Sequence, residues 1–264
     1  MISNPENNSV VYGDYLEDYN KKKFTIIDKN PVLMQIDSTI QRSDGEVTGF
    51  KVDTLIIKCR RMEAYRDSTN LFKAIDSVKI VRNEFSSVND LTLYYRADDL
   101  IITEKLNDTS AVPVLWYDNS QLTGDSISIQ LDGNRIKTLE VINNAFMLSQ
   151  HKIYSDRYDQ TSSDNAKMFF EEDKVQKVMF NGNVRSIYYL FEEDKPNGLT
   201  KSASIAATIL FEENEVGEVR LYGSPSSEYH PEIKVDGMER TFTLPKFVFK
   251  ENRPEKDDLI STIK

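Results

Sequence analysis

Phe170-Glu171-Glu172-Asp173-Lys174-Val175-Gln176-Lys177-Val178 and Phe211-Glu212-Glu213-Asn214-Glu215-Val216-Gly217-Glu218-Val219 are one pattern written twice, 41 residues apart (170 to 211). A third copy, Leu131-Asp132-Gly133-Asn134-Arg135-Ile136-Lys137-Thr138-Leu139, stands 39 residues before the first (131 to 170). The match runs on: Asn143, Gly182 and Gly223 follow the last apolar position of each copy by the same interval, and Ala145, Val184 and Pro225 come next in equivalent places. Upstream, Asp125 maps onto Asp164, with Ser204 near the corresponding place of the third unit. Each unit reads as strand, tight turn, strand, turn, strand. A repeat of this size cannot bury its apolar face alone and must share a core with its neighbours.

The rest of the chain speaks the same language. Ile127, Ile129 and Leu131 alternate with Ser126, Ser128 and Gln130, and Phe146 and Leu148 flank Met147. Period-two alternation belongs to strands with one dry and one wet face. The runs end at Ser43-Asp44-Gly45, Asp132-Gly133-Asn134, Asn143-Asn144, Asn181-Gly182-Asn183 and Pro196-Asn197-Gly198, residues that supply tight-turn geometry. A weaker repeat appears earlier, where Asp53, Asp76 and Asp90 each open a strand, and where Pro31-Val32-Leu33 resembles Pro113-Val114-Leu115. Such acids, Asp125 and Asp164 included, suit Asx-turns onto their own backbone. Helical periodicity is confined to the end, where Pro254 followed by Glu255, Asp257 and Asp258 reads as the start of a short, peripheral helix. Of the three all-β choices, sandwich, barrel and elongated roll, the near-constant repeat favours the roll. The expected architecture is an elongated twisted β-jelly-roll of stacked antiparallel strands, continuous over residues 1–252, with 253–264 a short tail. The loosest points are Asn83–Asn89 and Lys105–Ser110.

Bulk properties restrict function. The 264 residues are 39% hydrophobic and 29% charged, a folded composition with a formal net charge of −10. That balance opposes general nucleic-acid binding, and the longest basic run, Lys21-Lys22-Lys23, reads as a solvated turn. Cys59 is the only cysteine, so no intrachain disulfide forms; it reads as a small apolar residue of a strand. No run of 18 apolar residues is present to span a bilayer as a helix. The first residues, Met1 to Asn8, are polar and hold no signal-peptide core, which taken alone would mean cytoplasm.

Catalysis has no visible machinery. His151 and His230 lack helpers at recognisable spacing, and there is no phosphate loop, nucleophile elbow or Cys-x-x-Cys. The acid clusters Glu171-Glu172-Asp173 and Glu212-Glu213-Asn214 recur at the same turn of the repeat, which makes them hairpin tips rather than a catalytic pair. No enzyme activity, metal or cofactor is expected. What remains is the inward apolar stripe. Its first strands carry Ile127, Ile129, Leu131, Leu139, Val141, Phe146 and Leu148. Later strands carry Met168, Phe170, Val178, Phe180, Ile187, Tyr189, Ile209 and Phe211, with Phe170 and Phe211 in equivalent layers. These residues are core in any reading, and in an open roll they also suit long acyl chains.

The run Pro113-Val114-Leu115-Trp116-Tyr117-Asp118-Asn119-Ser120-Gln121-Leu122-Thr123-Gly124-Asp125-Ser126-Ile127 resembles the OstA-like proteins of the LptA/LptC/LptD periplasmic group, particularly the Bacteroidetes type. Asn143-Asn144-Ala145-Phe146, Phe180-Asn181-Gly182-Asn183 and Glu251-Asn252-Arg253-Pro254 carry the same resemblance, which covers roughly residues 50 to 255. It implies a β-jelly-roll that holds lipopolysaccharide acyl chains in its interior. It further implies edge-strand pairing with other jelly-roll proteins of a transport bridge, possible head-to-tail self-association included, and a periplasmic protein whose leader has been removed. The chain is long for one small LptA-like module and lacks the barrel sequence of an LptD-like protein. The competing reading is a structural scaffold whose interior is filled by its own side chains.

Overall fold

The computed structural model describes residues 2–4, 8–43, 46–133, 135–172, 174–212 and 215–261, with backbone alone for residues 2, 4, 37–43, 46–48, 50, 51 and 215. The chain is almost entirely antiparallel β-strand, the stacked all-β architecture expected from the repeat. The turn at Ser43-Asp44-Gly45 falls partly outside the described residues, as do Asn134, Asp173 and Glu213-Asn214 of the hairpin tips. The backbone sorts into two compact units. One comprises residues 1–98, 103–118 and 252–264; the other comprises 99–102 and 119–251.

In the first unit, β1 (Ile2–Asn4), β2 (Ser9–Tyr12), β5 (Val32–Ser43) and β6 (Glu46–Lys58) pair in that order. β3 (Tyr15–Tyr19), β4 (Phe24–Asp28) and β7 (Arg61–Tyr65) form a second series. β8 (Leu71–Arg82) joins the two: its first half pairs with β7 and its second with β6. The bend between them is Asp76-Ser77, both at positive φ (62° and 53°). β9 (Phe85–Tyr95) follows β8 along its whole length, and β11 (Val114–Tyr117) pairs with the start of β9. Two layers result, hinged where β8 and β9 bend. The segment 83–89 is therefore no loose point: Asn83-Glu84 is a tight hairpin turn, and Phe85, Ser86, Ser87 and Asn89 are buried. β10 (Leu100–Glu104) is divided between the two units.

The second unit repeats this plan with longer strands. β12 (Ser120–Thr123) and β13 (Ser126–Asp132) both pair with β14 (Arg135–Gln150). β15 (Tyr158–Glu171), β16 (Lys174–Glu192) and β17 (Lys195–Glu212) stack onward, and β18 (Glu215–Tyr222) and β19 (Ser226–His230) both lie against β17. The sequence places turns at Asn143-Asn144 and Gly182-Asn183, but neither ends a strand. Each is a pair of residues at positive φ inside one continuous strand, opposite a register break, where that strand leaves one layer for the other. Gly223-Ser224 repeats the pair between β18 and β19. Asn supports this left-handed geometry better than most residues, and Gly carries no Cβ to oppose it.

The corner also explains the repeated acids. Asp125 accepts from Asn144 Nδ2 at 2.9 Å, and Asp164 accepts from Asn183 Nδ2 at 3.0 and 3.1 Å. Each acid thus braces the corner of the next long strand. A Cβ at Gly182 would fall 2.1 Å from Asp164 Oδ2 as that side chain stands, and the φ of 78° also favours glycine there, where the first corner has Asn143. Asp53 and Asp90 do not open strands; they lie within β6 and β9, and Asp53 instead pairs with Arg82 Nε at 2.6 Å. Pro196-Asn197-Gly198 is likewise strand. The β16–β17 hairpin turns two residues earlier, at Glu193-Asp194, both at positive φ (48° and 62°) as a two-residue hairpin demands.

The terminal helix α1 (Lys256–Ile260) starts two residues after Pro254, with Glu255 as its N-cap and Asp257 and Asp258 in the first turn. It is short but not peripheral. Leu259 is 1% exposed and packs with Val32, Ile56 and Val81, while Met34 and Ile260 close the edge of that cluster. Arg253 anchors the approach by donating to Glu84 O, Asp118 O and Ser86 Oγ.

Candidate functional site

In the second unit the stripe read from the sequence lies on shared faces. Ile127 opposes Val141, which opposes Ala166, then Phe180, then Ala207; Ile129, Leu139, Met168, Val178 and Ile209 form the row beside it. Of these, Ile127, Ile129, Leu139, Val141, Met168, Val178 and Phe180 are buried, as is Leu131, and Ile209 is half-buried. Phe170 and Phe211 occupy matching places, each just after a register break and each opposite a valine (Val175 and Val216); both are half-buried. Beyond the corner, Phe146, Leu148, Ile187 and Tyr189 are buried on the face that also carries Gln121 and Gln160.

That second face is covered by the chain's own residues 231–251, a feature the sequence reading missed. Val235 and Phe242 pack with Ile187, Tyr189 and Leu199, and Leu244 closes the cluster. Two buried glutamines hold this strap as a neighbouring strand would. Gln160 donates to Phe242 O at 3.0 Å and accepts from Leu244 N at 2.8 Å. Gln121 donates to Val248 O at 2.8 Å and accepts from Lys250 N at 2.7 Å. At the start of the strap, Arg157, only 3% exposed, binds Glu232 through both terminal nitrogens and reaches Glu239 at 3.2 Å. Its charge also lies 5.3 Å from the ring centres of both Tyr154 and Tyr189. The direct bonds from Arg157 hold Glu232 below the ordinary carboxylate range. Tyr158 receives Phe247 and Phe249 at 5.5 and 5.1 Å.

An open space walled by apolar side chains lies in the first unit. A cavity of about 380 Å³ lies between the layers there, within the size range of small-molecule sites. One wall is β2, β5 and β6, contributing Val11, Leu33, Leu55 and Ile57; the other is β4, β7 and β8, contributing Ile27, Met62, Ala64 and Phe72. Ser9, Thr25, Gln35, Asn70, Tyr94 and Arg96 complete the lining. The inward residues alternate along β5 and β6, while Val32, Met34 and Ile56 face the other way, onto α1. Both faces of this sheet are thus apolar, which is why Leu55-Ile56-Ile57 reads as an unbroken run. The alternation was there to find, but which interior stays unfilled depends on side-chain volumes summed across strands distant in sequence.

Other reactive groups are structural. His151 accepts from Ile153 N and Tyr154 N and stacks on Phe191 at 4.1 Å, and burial pulls its pKa down. His230 packs edge-on against Phe242. Cys59 is 2% exposed, just beyond β6, and burial pushes its thiol up to about 12. Among the described residues no group of three or more His, Cys, Asp or Glu is placed to hold a metal ion. No helix there is long and apolar enough to cross a membrane.

No family model matches the chain, and no curated protein matches it. Among solved structures it is similar to LptH of Pseudomonas aeruginosa, described as the LptA-homologous periplasmic component of the lipopolysaccharide transport device. That likeness has 9% identity and a TM-score of 0.38 and covers 56% of this chain and 95% of that one, too loose to transfer any residue's role.

Proposed function

We propose that the chain is a periplasmic lipid carrier, which holds acyl chains of lipopolysaccharide or a similar multi-chain lipid between its layers and passes them toward the outer membrane. The observation that carries this reading is the apolar cavity between the layers of the first unit, walled by Leu33, Leu55, Ile57 and Phe72. Each methylene buried there contributes on the order of 0.8 kcal/mol, so chains are held firmly without any reacting group. A lipid with a large sugar head must keep that head wet, which a space between layers allows and a sealed pocket does not. The resemblance to OstA-like sequences points the same way.

In this reading residues 1–252 form one roll, and the exposed edge at β18 and β19 pairs with a neighbouring roll. The stripe at Ile129 and Phe146 receives chains once the strap moves aside. The second reading, a scaffold with a self-filled core, draws on the burial of the stripe and on the packing of its Ile187 and Tyr189 against Val235 and Phe242. Photocrosslinkers at Leu33, Ile57, Ile129 and Phe146, compared with Ser128 and Met147 on the opposite faces, separate the two in cells. Lipopolysaccharide trapped at the inward positions is the expected result. Labelling at Leu33 and Ile57 alone makes the strap a permanent filler of the second unit. Equal labelling at all six, or none, leaves the scaffold.

A further inference from the structure

We propose that the first-unit cavity selects amphiphiles with an anionic head, and that Arg96 is the residue that reads the head. This deepens the carrier reading and rests on it. Among the described lining residues Arg96 is the only charged one; the other polar contributors, such as Gln35 and Asn70, are neutral. Its guanidinium lies 5.5 Å from the ring centre of Phe72, a buried residue of the cavity wall, so the half-buried charge stands beside the apolar space.

Several other arginines are answered by carboxylates, and Arg253 by carbonyl oxygens and a hydroxyl. Arg61 has Glu63 at 2.8 Å, Arg82 has Asp53 at 2.6 Å and Arg157 has Glu232 and Glu239. Among the described residues no carboxylate pairs with Arg96, and burial pulls its pKa below the ordinary value. A half-desolvated cation without a counter-charge, at the rim of an apolar slot, is matched by one ligand chemistry. That chemistry is a long alkyl chain ending in an oxyanion, whose head the planar guanidinium binds through two parallel bonds. A fatty carboxylate and a phosphorylated lipid both supply it.

Isothermal titration of the full chain with dodecanoate, dodecyl phosphate and dodecanol tests the assignment. Both anions are expected to bind at least about tenfold more tightly than the alcohol, a gap of roughly 1.4 kcal/mol. Arg96→Gln should bring the anions to the level of dodecanol and leave dodecanol unchanged, and Arg96→Lys should keep part of the preference. Ala64→Phe, which fills the cavity from β7, should weaken all three. The anion bound more tightly names the source, free fatty acid or phosphorylated lipid. Equal binding of all three by the unaltered chain, or an Arg96→Gln loss shared by dodecanol, overturns the assignment and leaves the carrier reading standing. Absence of binding by all three overturns both.

Discussion

Asp159 shows how one side chain sets a pH dependence for the whole molecule. It is half-buried on β15 and accepts from Tyr189 N at 2.8 Å, yet burial dominates and lifts its pKa to about 7. In the unfolded chain the same carboxyl titrates near its ordinary value of about 3.9. Between those two values the folded state holds a proton that the unfolded state has lost. Its contribution to stability is therefore greatest below about pH 4, declines as the pH rises to about 7, and is level above that. Asp159→Asn keeps an acceptor for Tyr189 N and removes the charge. Thermal denaturation should show Tm raised by roughly 5 °C near pH 8, with the gain gone near pH 4. Cys59 gives a second residue-scale expectation. With its thiol pushed up to about 12 and 2% exposed, it should resist thiol reagents in the folded protein and react at once in denaturant. At this scale the sequence was a partial guide. The burial of Cys59 beside an apolar run was legible, because local composition decides it. The true partners of Asp125 and Asp164 were not, since they lie 19 residues away across a strand pair.

Among the elements, the strap and the last helix carry the expectations. Gln160→Met preserves length but leaves Phe242 O and Leu244 N without their partner, at a cost of about 1–3 kcal/mol. Urea denaturation should register that loss, and hydrogen exchange should quicken at Leu244 in particular; unchanged protection there means the strap is held by its apolar side chains alone. Leu259→Ala empties a site shared with Val32, Ile56 and Val81 and should cost about 2–5 kcal/mol, accompanied by proteolytic release of the chain end beyond Arg253. The strands themselves were readable from alternation and repeat. The strap was not, because Phe242 and Leu244 alternate for one step and Phe247 and Phe249 for another, out of phase across Pro245, too short a pattern to read as a strand. The hairpin at Glu193-Asp194 was misplaced for a related reason. Pro196-Asn197-Gly198 has stronger turn composition, but Gly198 is needed where it stands because a Cβ there would fall 2.1 Å from His230 O.

For the molecule as a whole, the all-β class followed from three copies of one phrase, whereas the site did not, since the repeats that revealed the fold lie in the second unit and the open cavity in the first. The outer edge at β18 and β19 is weakly guarded. Val219, Tyr222 and Tyr229 are all about half exposed (48%, 47% and 53%), and the charges beside them, Glu218 and Arg220, neutralise each other at 2.7 Å. Exposed edges of this kind recruit further strands. Sedimentation should show mass rising with concentration, and the double change Val219→Lys with Tyr222→Lys should abolish the rise; association that survives both lysines uses some other surface.

The corner pairs at Asn143-Asn144, Gly182-Asn183 and Gly223-Ser224 make the second unit a ruler. Each corner fixes where a long strand changes layer and says nothing about how many strands come before or after it. Strands stack at about 4.8 Å, so one repeat of two strands adds roughly 10 Å to the stack. Depth along the stack can therefore change only in such steps, by gain or loss of some 40 residues at a time.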